Sequence, residues 1–294
     1  MQKIRRVKPN FRRTRCILMR ILADTATLIS PAKAAQMGLT VVPVCVVING
    51  QTYRDYTDID SETFLRMIDE GGVPSSSQPS VGDVLDVYGE SDEETLFITV
   101  GDGLSGGYQT AVGAKNTLEH NGHIHVINSK TLGGPLRYLA QKALALREQG
   151  LPLAQIKAAL QRSIESSRSF VVPADFAFLQ RSGRLQPIAA KLGGALKLLP
   201  VLTQTEDKTR IRLMTVKRTW KSAVGAILQQ LEQAGVGAEH LISVCHAGIA
   251  EQAEAVRRQV REVFPRTETE VLQLSPALIT HGGPGCIVIQ SILK

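Results

Sequence analysis

The chain has 294 residues, 43% of them hydrophobic and 21% charged, with a formal net charge of +7. That length buries a sizeable core and suits two domains. The balance excludes a disordered chain, and no apolar run is long enough to cross a membrane as a helix. The charge is lopsided: residues 1–20 carry eight Lys and Arg and no acid, which leaves 26 basic against 27 acidic residues in the rest. The body therefore lacks the basic surface expected of a nucleic-acid-binding domain.

Residues 1–18 read as a basic extension. Met19 stands immediately before the first strand and is a candidate start of the folded chain. Arg20 and Asp24 interrupt the apolar stretch, so it does not read as an export signal. Cys16, Cys45, Cys245 and Cys286 are scattered with no C-x-x-C pair, as expected of reduced thiols in a cytoplasm.

Taken in order, Ile21–Ala23 begins a strand and Asp24-Thr25-Ala26-Thr27 is the turn after it. Ser30-Pro31 opens a helix, with proline at its first position. Val41–Ile48 reads as one buried strand, which Pro43 pushes toward a sheet edge, and Asn49-Gly50 closes a hairpin. A helix runs from Asp60 to about Glu70. The Ser/Pro-rich stretch 73–80 follows, and by itself reads as a linker. Ser80 with Asp83 is a capped start of the next helix. Thr95–Val100 is a buried strand, Gly101–Gly107 a glycine-rich turn and Tyr108–Leu118 a helix. His123–Asn128 is another strand, and Leu136–Glu148 and Leu153–Ser166 are amphipathic helices. This alternation predicts a doubly wound, mainly parallel sheet over 19–168.

Residues 169–294 have a different rhythm, predicting an α+β domain with a mixed or antiparallel sheet. Phe170-Val171-Val172 is a strand, Ala174–Gln180 helical, Arg181–Arg184 a cationic turn and Pro187–Leu192 helical. Leu198–Gln204 and Arg210–Val216 form a hairpin. Helix 222–234, strand 241–246, helix 250–263 and strand 267–272 follow, and then the turn Ile279–Gly285 leads into a last strand from Cys286.

The loop 101–107 lies between a strand's carboxyl end and a helix N-terminus, where open α/β sheets bind ligands and free N–H groups favour anions. Three chemistries fit it. Gly101, Gly103 and Gly106 match a dinucleotide fingerprint, but the next strand ends Ile127-Asn128 without the acidic residue that would hold a ribose. Gly103-Leu104-Ser105-Gly106-Gly107 matches a nucleophile elbow, with His281 as base and Asp175 as an ill-placed acid, making a serine hydrolase the alternative function. In the third, Ser105 and backbone amides hold a carboxylate without chemistry. Ser76 and Ser77 would add hydroxyls from a second loop, and His281, among glycines, is better placed than the other histidines.

These motifs together resemble the DegV family of bacterial fatty-acid-binding proteins. Asp24-Thr25 matches the family's Asp-Ser/Thr turn, and Ser76-Ser77-Gln78-Pro79-Ser80 its T-S-Q-P-S. Gly101–Tyr108 matches part of S-S-x-L-S-G-T-Y, Ser182-Gly183-Arg184 matches G-G-R, and His281–Gly285 matches H-x-G-P-G. The resemblance implies two α/β domains with a long-chain fatty acid such as hexadecanoate between them and no cofactor. It puts the carboxylate on Ser76 and Ser105, beside Ser77, Gly106 and His281. It further implies a carrier rather than an enzyme, one that presents its acid to a fatty acid kinase through His281 and Arg184. Gly101-Asp102 and Gly107 depart from the family pattern by removing hydroxyls and adding an acid. Phe176, Phe178, Leu179, Ile188, Leu192 and Leu196 are candidates for the tunnel wall.

Overall fold

The computed structural model describes residues 19–185 and 198–294. The basic extension, Cys16, the expected helix 187–192 and the wall candidates Ile188, Leu192 and Leu196 lie outside the described residues.

β1 (Met19–Asp24) runs into a short 3-10 turn at Thr25–Thr27, and α1 (Pro31–Gln36) starts on the Ser30 cap. β2 (Leu39–Val42) and β3 (Cys45–Ile48) are separate strands, not one. Pro43, which can donate no ladder hydrogen bond, stands at the break. β2 ends the first sheet as an edge strand, and β3 founds a small antiparallel sheet with β4 (Gln51–Arg54). After α2 (Ser61–Asp69), the Ser-rich stretch is no linker: β5 (Ser75–Ser77) pairs antiparallel with β3, setting Ser76 opposite Val46. α3 (Val81–Gly89) is capped by Ser80, whose Oγ accepts the Asp83 N–H at 2.9 Å. β6 (Glu94–Thr99), α4 (Gly107–Thr117), β7 (Ile124–Asn128), α5 (Gly133–Glu148) and α6 (Leu153–Ser166) follow.

The first sheet is wholly parallel, in the order β2-β1-β6-β7. Successive residues of its central strands point to opposite faces. Ile21, Leu96 and Ile98 pack on Leu136, Leu139, Ala140 and Ala143 of α5. Leu22 and Phe97 pack on Val84 and Tyr88 of α3 and Ala111 and Ala114 of α4. Helices on both faces make the sheet doubly wound, which is why its strands read as unbroken apolar runs.

The C-terminal half contains β8 (Arg168–Val172), α7 (Phe176–Ser182), β9 (Leu199–Gln204), β10 (Ile211–Lys217) and α8 (Trp220–Gln233). It continues with β11 (His240–His246), α9 (Ala250–Val263), β12 (Glu268–Gln273), α10 (Pro276–Gly282) and β13 (Ile287–Leu293). The sheet order is β10-β9-β8-β13-β11-β12, antiparallel except for the β11–β12 pair. It is therefore a mixed sheet. One face packs on α8 and α9. α5 touches β1 and β6 of the first sheet and β11 and β13 of the second, joining the two layers. Gln290 locks that junction: its amide donates to Leu132 O and Ser169 Oγ, both at 2.9 Å, and its Oε1 accepts the Gly134 N–H at 3.2 Å. No helix among the described residues is long and apolar enough to cross a membrane.

Candidate functional site

In the first sheet the chain leaves β1 toward β2 on one side, while β6 lies on the other. The crevice beyond the carboxyl ends of β1 and β6 is thus a topological switch point, the place where open α/β sheets bind ligands. Asp24 closes the bottom of that crevice, its Oδ2 accepting the Val100 N–H at 2.7 Å and its Oδ1 the Ala26 N–H at 3.0 Å.

The loop after β6 is built on close approaches. Gly103 has φ +84°, and a Cβ there would lie 2.7 Å from Thr209 O. A Cβ on Gly106 would lie 2.0 Å from Gln78 Oε1, so the missing side chain lets the β5 segment meet the loop. Ser105 is half-buried, and its Oγ accepts the Gly107 N–H at 3.3 Å. Asp102 turns away from the crevice. Its carboxylate accepts the Gly103 N–H at 3.1 Å and the Gln109 amide at 2.9 Å.

Three other segments converge on this loop. Strand alternation half-buries Ser76 and leaves Ser75 and Ser77 exposed. α10 packs against β3 and β5 and brings His281 in its last turn. The expected turn at 279–281 is therefore helical, because Pro276 can start a helix at its first position and Gly283 (φ +74°) ends it. His281 Nε2 lies 2.8 Å from Ser76 Oγ, and its Nδ1 is buried without a partner. Burial, with Arg184 nearby, holds His281 down at about 3, so the ring is neutral at pH 7. Arg184 follows the left-handed Gly183 cap of α7. Its Nε donates to Leu104 O at 3.1 Å, and among the described residues it has no carboxylate partner.

Two adjoining cavities result. The outer one is polar, lined by Ser76, Ser77, Gln78, Ser105, Gly106, Arg184 and His281. The inner one, about 730 Å³ of atom-free space with its opening included, is lined chiefly by Leu104, Leu132, Val171, Leu179, Ile211, Leu274, Leu278, Cys286 and Val288. Leu104, Leu132, Leu278, Arg184 and His281 belong to both, so the polar mouth and the apolar space adjoin along these residues.

All six residues singled out from the sequence as a site, Ser76, Ser77, Ser105, Gly106, Arg184 and His281, meet at this mouth. Of the three described wall candidates only Leu179 lines the inner cavity. Phe178 packs under Gly283, with a ring carbon 2.7 Å from where a Cβ would stand, and stacks on Arg181. Sequence reasoning missed Leu104, Leu132 and Leu278, whose apolar character alone does not distinguish cavity wall from core.

Among the described residues the geometry lacks a hydrolase constellation. The His281 ring bonds Ser76 rather than Ser105, and no carboxylate orients its other nitrogen. Asp175 instead caps α7, accepting the Ala177 N–H at 2.8 Å. Asn128, where a dinucleotide site needs an acid, is spent on the Asp102 and Lys130 N–H groups.

The model of the family described as "Uncharacterised protein, DegV family" matches residues 19–294. A DegV domain-containing protein of Clostridium acetobutylicum is 26% identical over 279 residues, covering 92% of this chain and 96% of its own. One from Staphylococcus aureus is 27% identical over 279 residues, covering 93% and 98%. Among solved structures, DegV of Bacillus subtilis, described as a fatty acid binding protein, superposes with a TM-score of 0.82 at 26% identity, covering 94% of this chain and 99% of its own. A DegV family protein from Thermus thermophilus, described for its fatty acid binding, gives 0.84 at 26% identity with the same coverage. With the family model spanning nearly the whole chain and both sheets shared with these structures, the chain belongs to the DegV family.

Proposed function

We propose that this protein binds a long-chain fatty acid such as hexadecanoate, with its acyl chain in the inner cavity and its carboxylate between Ser76 and Ser105. The observation that carries this reading is a hydroxyl-lined mouth that adjoins an apolar interior along Leu104, Leu132 and Leu278. Burying an acyl chain gains about 0.8 kcal/mol per CH₂, so a ~16-carbon acid fully enclosed gains about 10 kcal/mol. Hydroxyls and amides satisfy the carboxylate at the mouth, as a buried charge requires. The solved structures described as fatty acid binding, at matching fold, support the same ligand class.

The role is that of a carrier in the cytoplasm, not of a hydrolase, with residues 19–168 and 169–294 as its two domains. Arg184 and His281 line the same mouth as Ser76 and Ser105, which supports presentation of the acid to a fatty acid kinase. Phosphoryl transfer needs donors and positive charge around the transferred group. Organic extraction and mass spectrometry of the purified protein test the ligand. A stoichiometric long-chain fatty acid is expected. Absence of any acid, together with failure to take one up from solution, overturns the reading.

A further inference from the structure

Two carboxyl groups with no solvent exposure, Asp24 and Asp55, lie behind the polar mouth. Asp24 accepts the N–H groups of Ala26 and Val100, and both residues line the mouth. Asp55 follows β4, and its own N–H donates to Val44 O at 2.8 Å, Val44 lining the mouth as well. The Asp55 carboxyl faces the hydroxyls of Thr25 and Ser275, the N–H of Ala277 at the start of α10, and Asp24. Yet neither Asp55 oxygen completes a hydrogen bond, nor does Ser275 Oγ, and all three atoms are buried. Ala26, Val44, Val100 and Ala277 thus form a wall with anion-holding hydroxyls in front and two carboxyls behind.

Tyr56 adjoins Asp55 on its own segment, and Arg137 of α5 acts on Tyr56 and pairs at 3.9 Å with Glu270. Among the described residues no Lys or Arg forms an ion pair with either carboxyl.

We propose that Asp24 and Asp55 form a proton-linked pair that tunes the mouth for anions, so that entry of a ligand carboxylate is accompanied by uptake of a proton behind the wall. This rests on the reading of the mouth as an anion site. Like charges repel more strongly beside buried groups than in water because less solvent screens them. Binding a proton from solvent removes the repulsion without moving the backbone. Asp55 is the proton acceptor of the two. Asp24 spends its oxygens on two amides at 2.7 and 3.0 Å that favour its charged form, whereas the two hydroxyls and the N–H that Asp55 faces do not close to full hydrogen bonds. Burial drives Asp55 up to about 7 and Asp24 to about 6, bringing the exchange close to neutral pH. By linkage, anion affinity falls as pH rises through this range.

The test uses tetradecanesulfonate, whose charge does not titrate, and the full chain. Calorimetric titration at pH 7.5 in two buffers of different ionisation enthalpy reads the protons exchanged on binding. The wild type is expected to take up about half a proton or more per ligand, and its affinity to fall about threefold or more between pH 6 and 8.5. Asp55→Asn is expected to abolish most of the uptake and flatten the profile. Wild-type binding without proton uptake, or uptake that survives in Asp55→Asn, overturns the proposal. Should that variant not fold, Asp24→Asn removes the like charge of the pair and is expected to move the pH midpoint downward; an unmoved midpoint overturns the proposal. If neither the sulfonate nor hexadecanoate binds at any pH, it is the reading of the mouth that fails.

Discussion

Ser76 Oγ and His281 Nε2 lie 2.8 Å apart, joining a short strand of the N-terminal half to the last helix of the C-terminal half across 205 residues of sequence. The contact sits where the polar mouth meets the apolar cavity. It orients one of the two hydroxyls proposed to hold the ligand carboxylate and keeps an uncharged ring beside it.

The two serines are expected to act on one carboxylate. Ser76→Ala and Ser105→Ala should each weaken fatty-acid binding by about 0.5–3 kcal/mol. A double-mutant cycle should show coupling because the partner is shared. Titration with a fluorescent polyene fatty acid measures all four proteins, and strict additivity would separate the two sites.

His281→Ala and Arg184→Ala should separate binding from presentation. Loss of the ring frees Ser76, so lipid affinity should fall by about tenfold or less, the scale of one hydrogen bond. Kinase-dependent acyl-phosphate formation should fall by about a hundredfold or more, the scale of a lost transition-state donor. Paired measurement of ligand content and turnover decides this, and equal losses in both would place the residues in the lipid site alone.

Stability should respond to pH in opposite senses at these groups. His281, held near 3 against an ordinary 6.5, binds its proton more readily when unfolded. Its contribution is present above pH 6.5 and is lost as pH falls toward 3. Asp24 and Asp55, raised from 3.8 to about 6 and about 7, contribute fully below pH 3.8 and lose that contribution as pH rises through 6 and 7. Denaturant midpoints from pH 4 to 8 should therefore show His281→Gln gaining on the wild type toward acid. Asp55→Asn should gain toward alkali.

Two glycines should behave oppositely. Gly103→Ala forces a side chain into a left-handed conformation and against the Thr209 backbone, so a loss of about 2 kcal/mol or more is expected. Gly113 lies on the exposed side of α4 with nothing within 4 Å of a built Cβ. Gly113→Ala should stabilise by about 0.5–1 kcal/mol. Thermal unfolding of both variants checks the pair.

Much of the fold was legible because its signals are local. The apolar run at Thr95–Val100, the glycines that end it and the Ser80 cap act through neighbours a few residues away, and each stands where the sequence puts it. The alternation of strand and helix likewise carries the parallel sheet, since a parallel connection needs a crossover. The site residues were legible as types: a hydroxyl in a glycine loop, a serine-rich stretch, a histidine among glycines.

The sequence by itself determined most of the strands and helices, and that a polar, glycine-bordered loop ends a buried strand. Turn chemistry and apolar periodicity are properties of consecutive residues. Only the tertiary structure decided that Pro43 parts two strands into two sheets, that Ser75–Ser77 pairs with β3, and that Ser76 meets His281. It also decided which leucines line a cavity and that Asp55 is buried with unpaired oxygens. Pairing partners, burial and the proton affinities that burial shifts depend on what folds against a residue, and those neighbours lie from 30 residues away, as for Val46 and Ser76, to 205 residues away, as for Ser76 and His281.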